Sequence, residues 1–132
     1  RVHVERSLTF GAEIGGHLVS GHVDGCAELV AVSAPENNRI LTLRVPPALL
    51  RYILPKGYVA LGGASLTVVE VDHRASTFTV HLIPETLRIT TFGSKRPGDR
   101  IHIEVDRQTQ AIVDTVERYL SLSRADGRLE GA

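Results

Sequence analysis

The sequence predicts an all-β barrel or sandwich followed by a helix. At least six short runs of apolar and β-branched residues are separated by glycine, proline and asparagine turns at nearly regular spacing, which is typical of a β domain. Helical patterns are brief until the C-terminal region, so a βαβ sheet is not expected. The 132 residues are enough for one buried core and too few for a second.

The charge balance and the cysteine content argue against several classes of protein. The 15 basic and 15 acidic side chains cancel, so no nucleic-acid partner is expected. No apolar run approaches the roughly 20 residues that span a bilayer, and residues 1–8 lack the layout of a secretory signal. The single cysteine, Cys26, has no partner for an internal disulfide and is more typical of core filler than of a nucleophile. We therefore expect a cytoplasmic protein without a membrane partner.

Residues 1–6 (RVHVER) resemble residues 100–105 (RIHIEV) in their alternation and their flanks. Alternating apolar and polar residues predict a half-buried strand in each copy, at residues 2–4 and 100–105. The second copy follows a turn and precedes a helix, so it closes a structural unit. By the same logic we expect the chain to begin on the last strand of a preceding copy whose body is absent. A chance match is the alternative.

The segment at residues 15–25 (GGHLVSGHVDG) combines four glycines with two histidines and an aspartate. Glycine at this density inside a strand-like run marks a bulge or a close approach of the backbone to another group. We interpret the segment as the edge of a binding site, and a glycine-rich turn is the alternative. The run at residues 17–32 predicts one long, bent strand or two shorter ones.

The middle of the chain predicts further strands and two short helices. The run at residues 40–45 predicts a strand that forms a hairpin with the preceding run. Proline is tolerated in the first turn of a helix, which predicts short helices at residues 47–54 and 84–87. The first of these is expected to cap one end of the barrel. The remaining predicted strands are residues 58–61, 65–71, 77–82 and 100–105.

The C-terminal region predicts an amphipathic helix from Thr109 onward, because four apolar residues recur at helical spacing. They are Ile112, Val116, Tyr119 and Leu120. This stripe is expected either to fold back on the barrel or to meet a partner chain. Residues 124–132 are polar and are expected to be frayed.

The six histidines do not predict a metal site. His17 and His22 are an odd number of residues apart, which points them to opposite faces of a regular strand, and no zinc-like spacing joins the others. A catalytic triad of Ser20 or Ser65 with His22 is an alternative, although no nucleophile-elbow pattern surrounds either serine. The remaining polar residues at strand ends suit a neutral heterocycle or a polyol. They are Ser20, His22, Lys56, Ser65, Thr67 and His81.

Several of these stretches together resemble the C-terminal half of the riboflavin synthase family. The resemblance rests on residues 15–25, the Lys56-Gly57 step, residues 65–68, HLIPETL at residues 81–87 and DTVERYL at residues 114–120. That family has two homologous barrels and a C-terminal helix. The resemblance implies a six-stranded Greek-key closed barrel with short capping helices and a C-terminal α-helix. It makes residues 1–106 a lumazine-binding barrel, with residues 1–6 ending a missing N-terminal barrel and linker, and residues 107–132 an oligomerisation helix and tail.

The resemblance also implies an activity. The family dismutates two molecules of 6,7-dimethyl-8-ribityllumazine into riboflavin and 5-amino-6-ribitylamino-pyrimidinedione, without metal or cofactor. Its site pairs the C-terminal barrel of one subunit with the N-terminal barrel of a neighbouring subunit in a homotrimer. The isolated chain is therefore expected to be inactive without that N-terminal barrel. Two alternatives are a non-catalytic module that binds lumazine or flavin, and a flavin reductase barrel, whose Arg-x-Tyr-Ser/Thr run is not found here.

Carried over by position, the resemblance assigns catalytic roles to His22, Ser65 and Asp106. His22 is the candidate base, and the alternative is that its ring only supports the backbone. The implied substrate-binding residues are Gly21, His22, Val23, Lys56, Ser65, Leu66, Thr67, His81, Leu82, Ile83, Pro84, Glu85 and Thr86. One departure is Gly62, which stands where the family has an aspartate, so a carboxylate near the ligand is absent.

Overall fold

The computed structural model describes residues 1–125. Within that range the chain forms six strands, three α-helices and one short 3₁₀ helix at Phe92–Ser94. The strands are β1 (Gly25–Ser33), β2 (Arg39–Arg44), β3 (Tyr58–Leu61), β4 (Ala64–Asp72), β5 (Thr77–Leu82) and β6 (Arg100–Val105). The helices are α1 (Pro47–Leu50), α2 (Pro84–Ile89) and α3 (Arg107–Ala125). The predicted frayed tail lies outside the described residues, except for its first two residues, which end α3.

The six strands form a closed antiparallel barrel in the order β1-β2-β5-β4-β3-β6. Strands β3, β4 and β5 follow one another as neighbours, and β2 returns beside β5, which is a Greek-key arrangement. Closure of the barrel leaves no unpaired sheet edge. The predicted six-stranded Greek-key closed barrel with short helices and a C-terminal helix is confirmed.

The barrel interior is filled by alternate residues of each strand. Phe78, Val80 and Leu82 of β5 are buried, as the alternation predicts. On β6 the same rule buries Ile101 and Ile103. The rest of the apolar core comes from β1 to β4, α1 and the 3₁₀ helix: Ala27, Leu29, Leu41, Leu43, Val45, Leu50, Tyr52, Ile53, Val59, Leu61, Val68, Phe92 and Val105.

Helix α1 is shorter than predicted. It ends at Leu50, although a helix was expected over residues 47–54. The following amides of Tyr52 and Ile53 donate to carbonyls three residues back, at 3.0 and 2.9 Å, and so form tight turns. Leu50 and Ile53 are nevertheless buried against the barrel end, as the capping role requires.

Residues 1–24, here called the N-terminal arm, contain no strand or helix. The predicted strand at residues 2–4 is wrong, because the backbone there joins no ladder and both valines are exposed. The predicted strand at residues 17–32 is wrong in its first half, since β1 begins only at Gly25. The amides of Ser20 and Gly21 donate to a side chain instead of a neighbouring strand. A strand requires such a neighbour.

Helix α3 packs on the barrel through its polar side. Tyr52 donates to Asp114 at 2.5 Å, which raises the pKa of Tyr52, and Arg51 pairs with Glu117 at 2.7 Å. Val113 contacts the core. The predicted apolar stripe of α3 therefore does not fold back on the barrel: Ile112, Val116, Tyr119 and Leu120 are exposed. Among residues 1–125, no helix is long and apolar enough to cross a membrane.

Candidate functional site

Three residues in register form a row across the outer face of the barrel. Ala60 of β3 pairs with Glu104 of β6 on one side and with Ser65 of β4 on the other. Paired residues share a face, and because Val59 and Leu61 point inward, this row points outward. Ala60 and Glu104 are buried even so. The N-terminal arm covers them, and the row therefore lies beneath the glycine-rich segment.

His17 of the arm contacts Ser65. The His17 amide donates to Ser65 Oγ at 3.1 Å, and His17 Nδ1 lies 2.6 Å from the same oxygen. The His17 ring also stacks on Tyr58, with centroids 5.2 Å apart. Gly16 has to be glycine here, because a Cβ atom would lie 2.3 Å from Ser65 Oγ and φ is +92°. The Ser65 hydroxyl is thus hydrogen-bonded to the arm.

Glu104 binds the next part of the arm. Its carboxylate accepts hydrogen bonds from the Ser20 amide at 2.7 Å, the Ser20 hydroxyl at 2.9 Å and the Gly21 amide at 2.9 Å. Gly21 has φ +82°, a conformation that favours glycine. These bonds fix the turn immediately before His22.

Asp24 and Arg107 hold the other side of His22. The Asp24 carboxylate accepts the Val105 amide at 2.8 Å and pairs with Arg107 at 3.0 Å. Arg107 also donates to the His22 carbonyl at 2.7 Å. The His22 and Val23 side chains are exposed between these two attachments. The segment at residues 20–24, here called the His22 loop, is therefore fixed at both ends with its middle facing solvent.

A second group of the predicted site residues lies on β4, β5 and the start of α2. The Lys56 amide donates to the Val68 carbonyl at 2.8 Å, and Val68 pairs with Val80 on β5. The antiparallel register continues from that pair toward Thr67 and His81, both of which are exposed. The structure thus brings Lys56, Thr67 and His81 to one outer surface. Here it is called the β4–β5 face: Lys56, Ser65, Thr67, His81 and residues 83–86. Leu66 and Leu82, which the resemblance also assigned to the substrate site, do not belong to it, because their side chains pack on the barrel core.

Helix α2 closes one side of the β4–β5 face. Strand β5 ends at Leu82, Ile83 is the extended residue before the helix, and α2 begins at Pro84. Glu85 accepts two hydrogen bonds from Arg88, at 2.8 and 2.6 Å, and this lowers the pKa of Glu85. Both side chains are exposed. The Glu85–Arg88 ion pair is therefore a surface interaction between two side chains of α2.

The three predicted catalytic residues have separate partners. Ser65 contacts His17 and not His22. Asp106 accepts the Thr109 hydroxyl at 2.9 Å and faces the first amides of α3, so it caps that helix. The His22 side chain is exposed in the His22 loop. Within residues 1–125, no hydrogen bond joins any two of these three, and their catalytic roles stay predictions.

Sequence reasoning missed the roles of His17, Glu104 and Arg107. Glu104 occupies an outward position of an alternating strand, which normally predicts a solvated charge. His17 was considered only as a metal ligand. The pattern of a strand shows which face a residue takes, but not that a distant segment covers that face.

The structure also contains two depressions away from the His22 loop. One of about 590 Å³ lies at the end of the barrel, beside Cys26, Arg44, Val45, Ser76 and Arg100. Another of about 450 Å³ lies beside α2 and the 3₁₀ helix, with Leu87, Arg88, Thr90, Ser94 and Lys95 among its walls. In the described part of the chain, no three His, Cys, Asp or Glu side chains lie together as a metal site requires.

The closed Greek-key barrel is shared with solved structures of LumP. The crystal structure of LumP complexed with riboflavin superposes with a TM-score of 0.66 at 21% identity, covering 74% of this chain and 52% of that one. The complex of LumP with 6,7-dimethyl-8-(1'-D-ribityl) lumazine gives a TM-score of 0.61 at 22% identity, covering 67% and 47%. These likenesses define the fold class.

Sequence comparison defines the family. The model of the lumazine binding domain matches residues 20–106, and the chain belongs to that family. The riboflavin synthase of Escherichia coli is 52% identical over 121 residues, which is 91% of this chain and 56% of that protein. The riboflavin synthase of Chlamydia pneumoniae is 47% identical over 126 residues, covering 96% and 60%. The chain thus spans somewhat more than half the length of these relatives.

Proposed function

We propose that this chain is the C-terminal lumazine-binding barrel and helix of a riboflavin synthase. The observation that carries the proposal is the 52% identity to a riboflavin synthase over 91% of the chain. The family model gives the ligand class, since it describes a lumazine binding domain. The proposed reaction is the dismutation of two molecules of 6,7-dimethyl-8-ribityllumazine to riboflavin and 5-amino-6-ribitylamino-pyrimidinedione.

The β4–β5 face is the proposed lumazine site. Its exposed hydroxyl and imidazole groups, Thr67 and His81, offer hydrogen bonds to a polar heterocycle, and Lys56 stands beside them. Ser65 takes part only after His17 leaves it, because the His17 ring now covers that hydroxyl. The part of the N-terminal arm that carries His17 therefore moves when lumazine binds, while the His22 loop stays attached to Glu104 and Arg107.

Catalysis requires a second lumazine close to the first. In the proposed assembly, the N-terminal barrel of a neighbouring subunit holds the second molecule, and alignment of the two supplies much of the rate enhancement. His22 is the proposed base. It takes a proton from the methyl group at C7 of one lumazine, whose ring system delocalises the resulting carbanion. Histidine suits this transfer near neutral pH, and its exposed position leaves it accessible to such a ligand.

The exposed apolar stripe of α3 is the proposed contact with other copies, which we expect to form a homotrimer in the cytoplasm. Ile112 and Tyr119 are exposed to solvent on α3, whose polar side packs on the barrel. Replacing both by serine should reduce the sedimenting mass of the intact chain. Ala111→Ser is the matched control on the same helix. An unchanged mass for the double variant would remove α3 from the interface.

A non-catalytic binding module is the second candidate. Gly62 favours it, because the resemblance to the riboflavin synthase family implies an aspartate at that position and this chain has glycine there. The carbonyl of Gly62 instead accepts a hydrogen bond from His3 at 2.7 Å. Binding without turnover would then be the whole function.

Fluorescence titration with 6,7-dimethyl-8-ribityllumazine and with riboflavin tests the proposed site. Thr67→Ala should weaken binding about 10-fold, because an exposed hydroxyl contact is lost. Thr77→Ala is the control, since Thr77 lies on an outward position at the far end of β5. The absence of saturable binding at millimolar ligand would reject both candidate functions.

Turnover separates the two candidates. The chain is supplied with an N-terminal lumazine-binding barrel, and riboflavin formation is followed. His22→Gln should lower turnover by roughly 10²-fold with little change in affinity, since glutamine keeps hydrogen bonding but cannot act as a base. Saturable binding with no turnover in the parent chain would favour the binding module.

A further inference from the structure

Glu104 is a buried carboxylate whose partners all belong to the N-terminal arm. Its exposed fraction is 4%, and none of the ion pairs within residues 1–125 includes it. A buried carboxylate is costly unless hydrogen bonds replace its water. Three donors from Ser20 and Gly21 do so. The charge of Glu104 and the shape of the arm are therefore mutually dependent.

The geometry of these bonds determines the backbone next to His22. Two successive amides, of Ser20 and Gly21, converge on the two oxygens of one carboxylate at 2.7 and 2.9 Å. Such convergence forms a small anion-binding concavity in the backbone, and Gly21 at φ +82° allows the chain to turn out of it. The Ser20 hydroxyl also lies 3.3 Å from the His22 amide. Glu104 thus determines the position of the backbone amide of His22.

Arg107 restrains the other side of the same residue. It donates to the His22 carbonyl at 2.7 Å and is itself held by Asp24 at 3.0 Å. The backbone of His22 is consequently fixed before and after its Cα atom, whereas its side chain is exposed. A fixed backbone determines the direction of the His22 Cα–Cβ bond, so the imidazole can reach only the positions that its staggered rotamers allow from that point.

We propose that Glu104 is a positioning residue that fixes the His22 loop and so aims the His22 imidazole at the lumazine C7 methyl group. This inference rests on the proposed function of His22. Glu104 does not touch the substrate in this scheme and transfers no proton. Its contribution is to keep His22 in a reactive orientation, which affects turnover more than binding.

The first test is a double-mutant cycle on the chain supplied with an N-terminal lumazine-binding barrel. Glu104→Gln keeps the shape of the side chain but removes its charge and replaces one acceptor oxygen by an NH₂ group, which then faces either the Ser20 donors or the Gly21 amide. Turnover is expected to fall about 10-fold, with the KM for lumazine little changed. In the His22→Gln background the same substitution should have no further effect. Additive losses, or a loss confined to KM, would overturn the proposal.

The second test measures the loop itself and does not depend on catalysis. Amide hydrogen exchange at Ser20 and Gly21, followed by NMR, should accelerate about 10-fold or more in Glu104→Gln. Glu28→Gln is the control, because Glu28 is half exposed and pairs only with Arg44 at 3.6 Å. Ser20→Ala removes one of the three bonds and should give a smaller change in the same direction. Unchanged exchange at Gly21 would overturn the proposal.

The two tests separate this proposal from the proposed function. If His22→Gln lowers turnover and Glu104→Gln does not, His22 is the base and Glu104 does not position it. If neither substitution lowers turnover, the role of His22 is wrong and the positioning role is wrong with it.

Discussion

Two segments with nearly the same sequence pattern take different structures in this molecule. Residues 1–6 (RVHVER) and residues 100–105 (RIHIEV) alternate in the same way, yet only the second is a strand. Val2 and Val4 are 82% and 87% exposed, whereas Ile101 and Ile103 are 4% and 0% exposed. Strand β6 has β1 on one side and β3 on the other. Alternation thus shows which face is apolar, but a strand forms only where neighbours complete its hydrogen bonds.

The difference extends to what stabilises each region. The barrel is held by hydrogen-bonded ladders between all neighbouring strands and by a core of fully buried apolar side chains. The N-terminal arm is held by a few polar contacts, in which His3, His17 and Glu104 take part. Burial of a large apolar side chain contributes about 2–5 kcal/mol, and a net hydrogen bond about 1 kcal/mol. We therefore expect the arm to detach at a much lower free energy than the barrel unfolds.

The largest expected effect comes from the matched positions of the two similar segments. Ile103→Ala should lower the free energy of unfolding by about 3 kcal/mol, because it leaves a cavity in the core. Val4→Ala should change it by less than about 0.5 kcal/mol, since Val4 is exposed. Urea denaturation measures both. Similar losses at the two sites would show that residues 1–6 are packed as a strand after all.

The next effect concerns the attachment of the arm to Ser65. Gly16→Ala should lower stability by about 1–2 kcal/mol, because its Cβ would clash with Ser65 Oγ in a strained backbone. Gly15→Ala is the control, since no atom lies within 4 Å of its Cβ position. Hydrogen exchange should show that Gly16→Ala releases the arm while the barrel stays protected. Equal effects at the two glycines would contradict the His17–Ser65 contact.

A smaller effect is expected at His3, which joins the start of the arm to the barrel. The Thr91 amide donates to His3 Nε2 at 2.9 Å, so Nδ1 carries the proton that is donated to the Gly62 carbonyl at 2.7 Å. His3→Ala removes both bonds and should cost about 1 kcal/mol. His73→Ala, at an exposed turn, should change stability little. An equal cost at His73 would mean that the His3 bonds contribute nothing.

The smallest effect is a pH dependence at α2. Arg88 lowers the pKa of Glu85 below its ordinary value of 4.5. A carboxylate with a lowered pKa in the folded state contributes stability above that ordinary value and loses it as the pH falls through the folded pKa. The pair is exposed, so the contribution is small. Glu85→Gln should slightly reduce the difference between the urea midpoints measured at neutral pH and in acid. An unchanged difference would show that the Glu85–Arg88 pair contributes nothing to it.

Much of the barrel could be predicted from the sequence because its strands follow a local rule. The predicted strands at residues 58–61, 77–82 and 100–105 match β3, β5 and β6 residue for residue. Short-range alternation and turn residues are sufficient there. Residues 15–24 of the glycine-rich segment cross the barrel as part of the N-terminal arm and contact Ser65 of β4 and Glu104 of β6. The interpretation of that segment as the edge of a binding site stays a prediction.

The arrangement of the candidate site could not be predicted in the same way. Glu104 is buried by its contact with Ser20, which lies 84 positions away in the chain. His17 and Ser65 lie 48 positions apart. No pattern within one strand encodes such contacts, because they depend on where the arm crosses the barrel. The capping role of Asp106 is local, and an aspartate at the start of a helical run is itself a recognised N-cap signal.

The most direct measurement is an NMR titration of the isotope-labelled chain with 6,7-dimethyl-8-ribityllumazine. We expect saturable shifts on the β4–β5 face, centred on Ser65, Thr67 and His81, together with loss of the His17 contact as the arm leaves Ser65. Shifts confined to the depression beside Cys26 and Arg100, or an arm that stays on Ser65 at saturation, would contradict a lumazine site on the β4–β5 face.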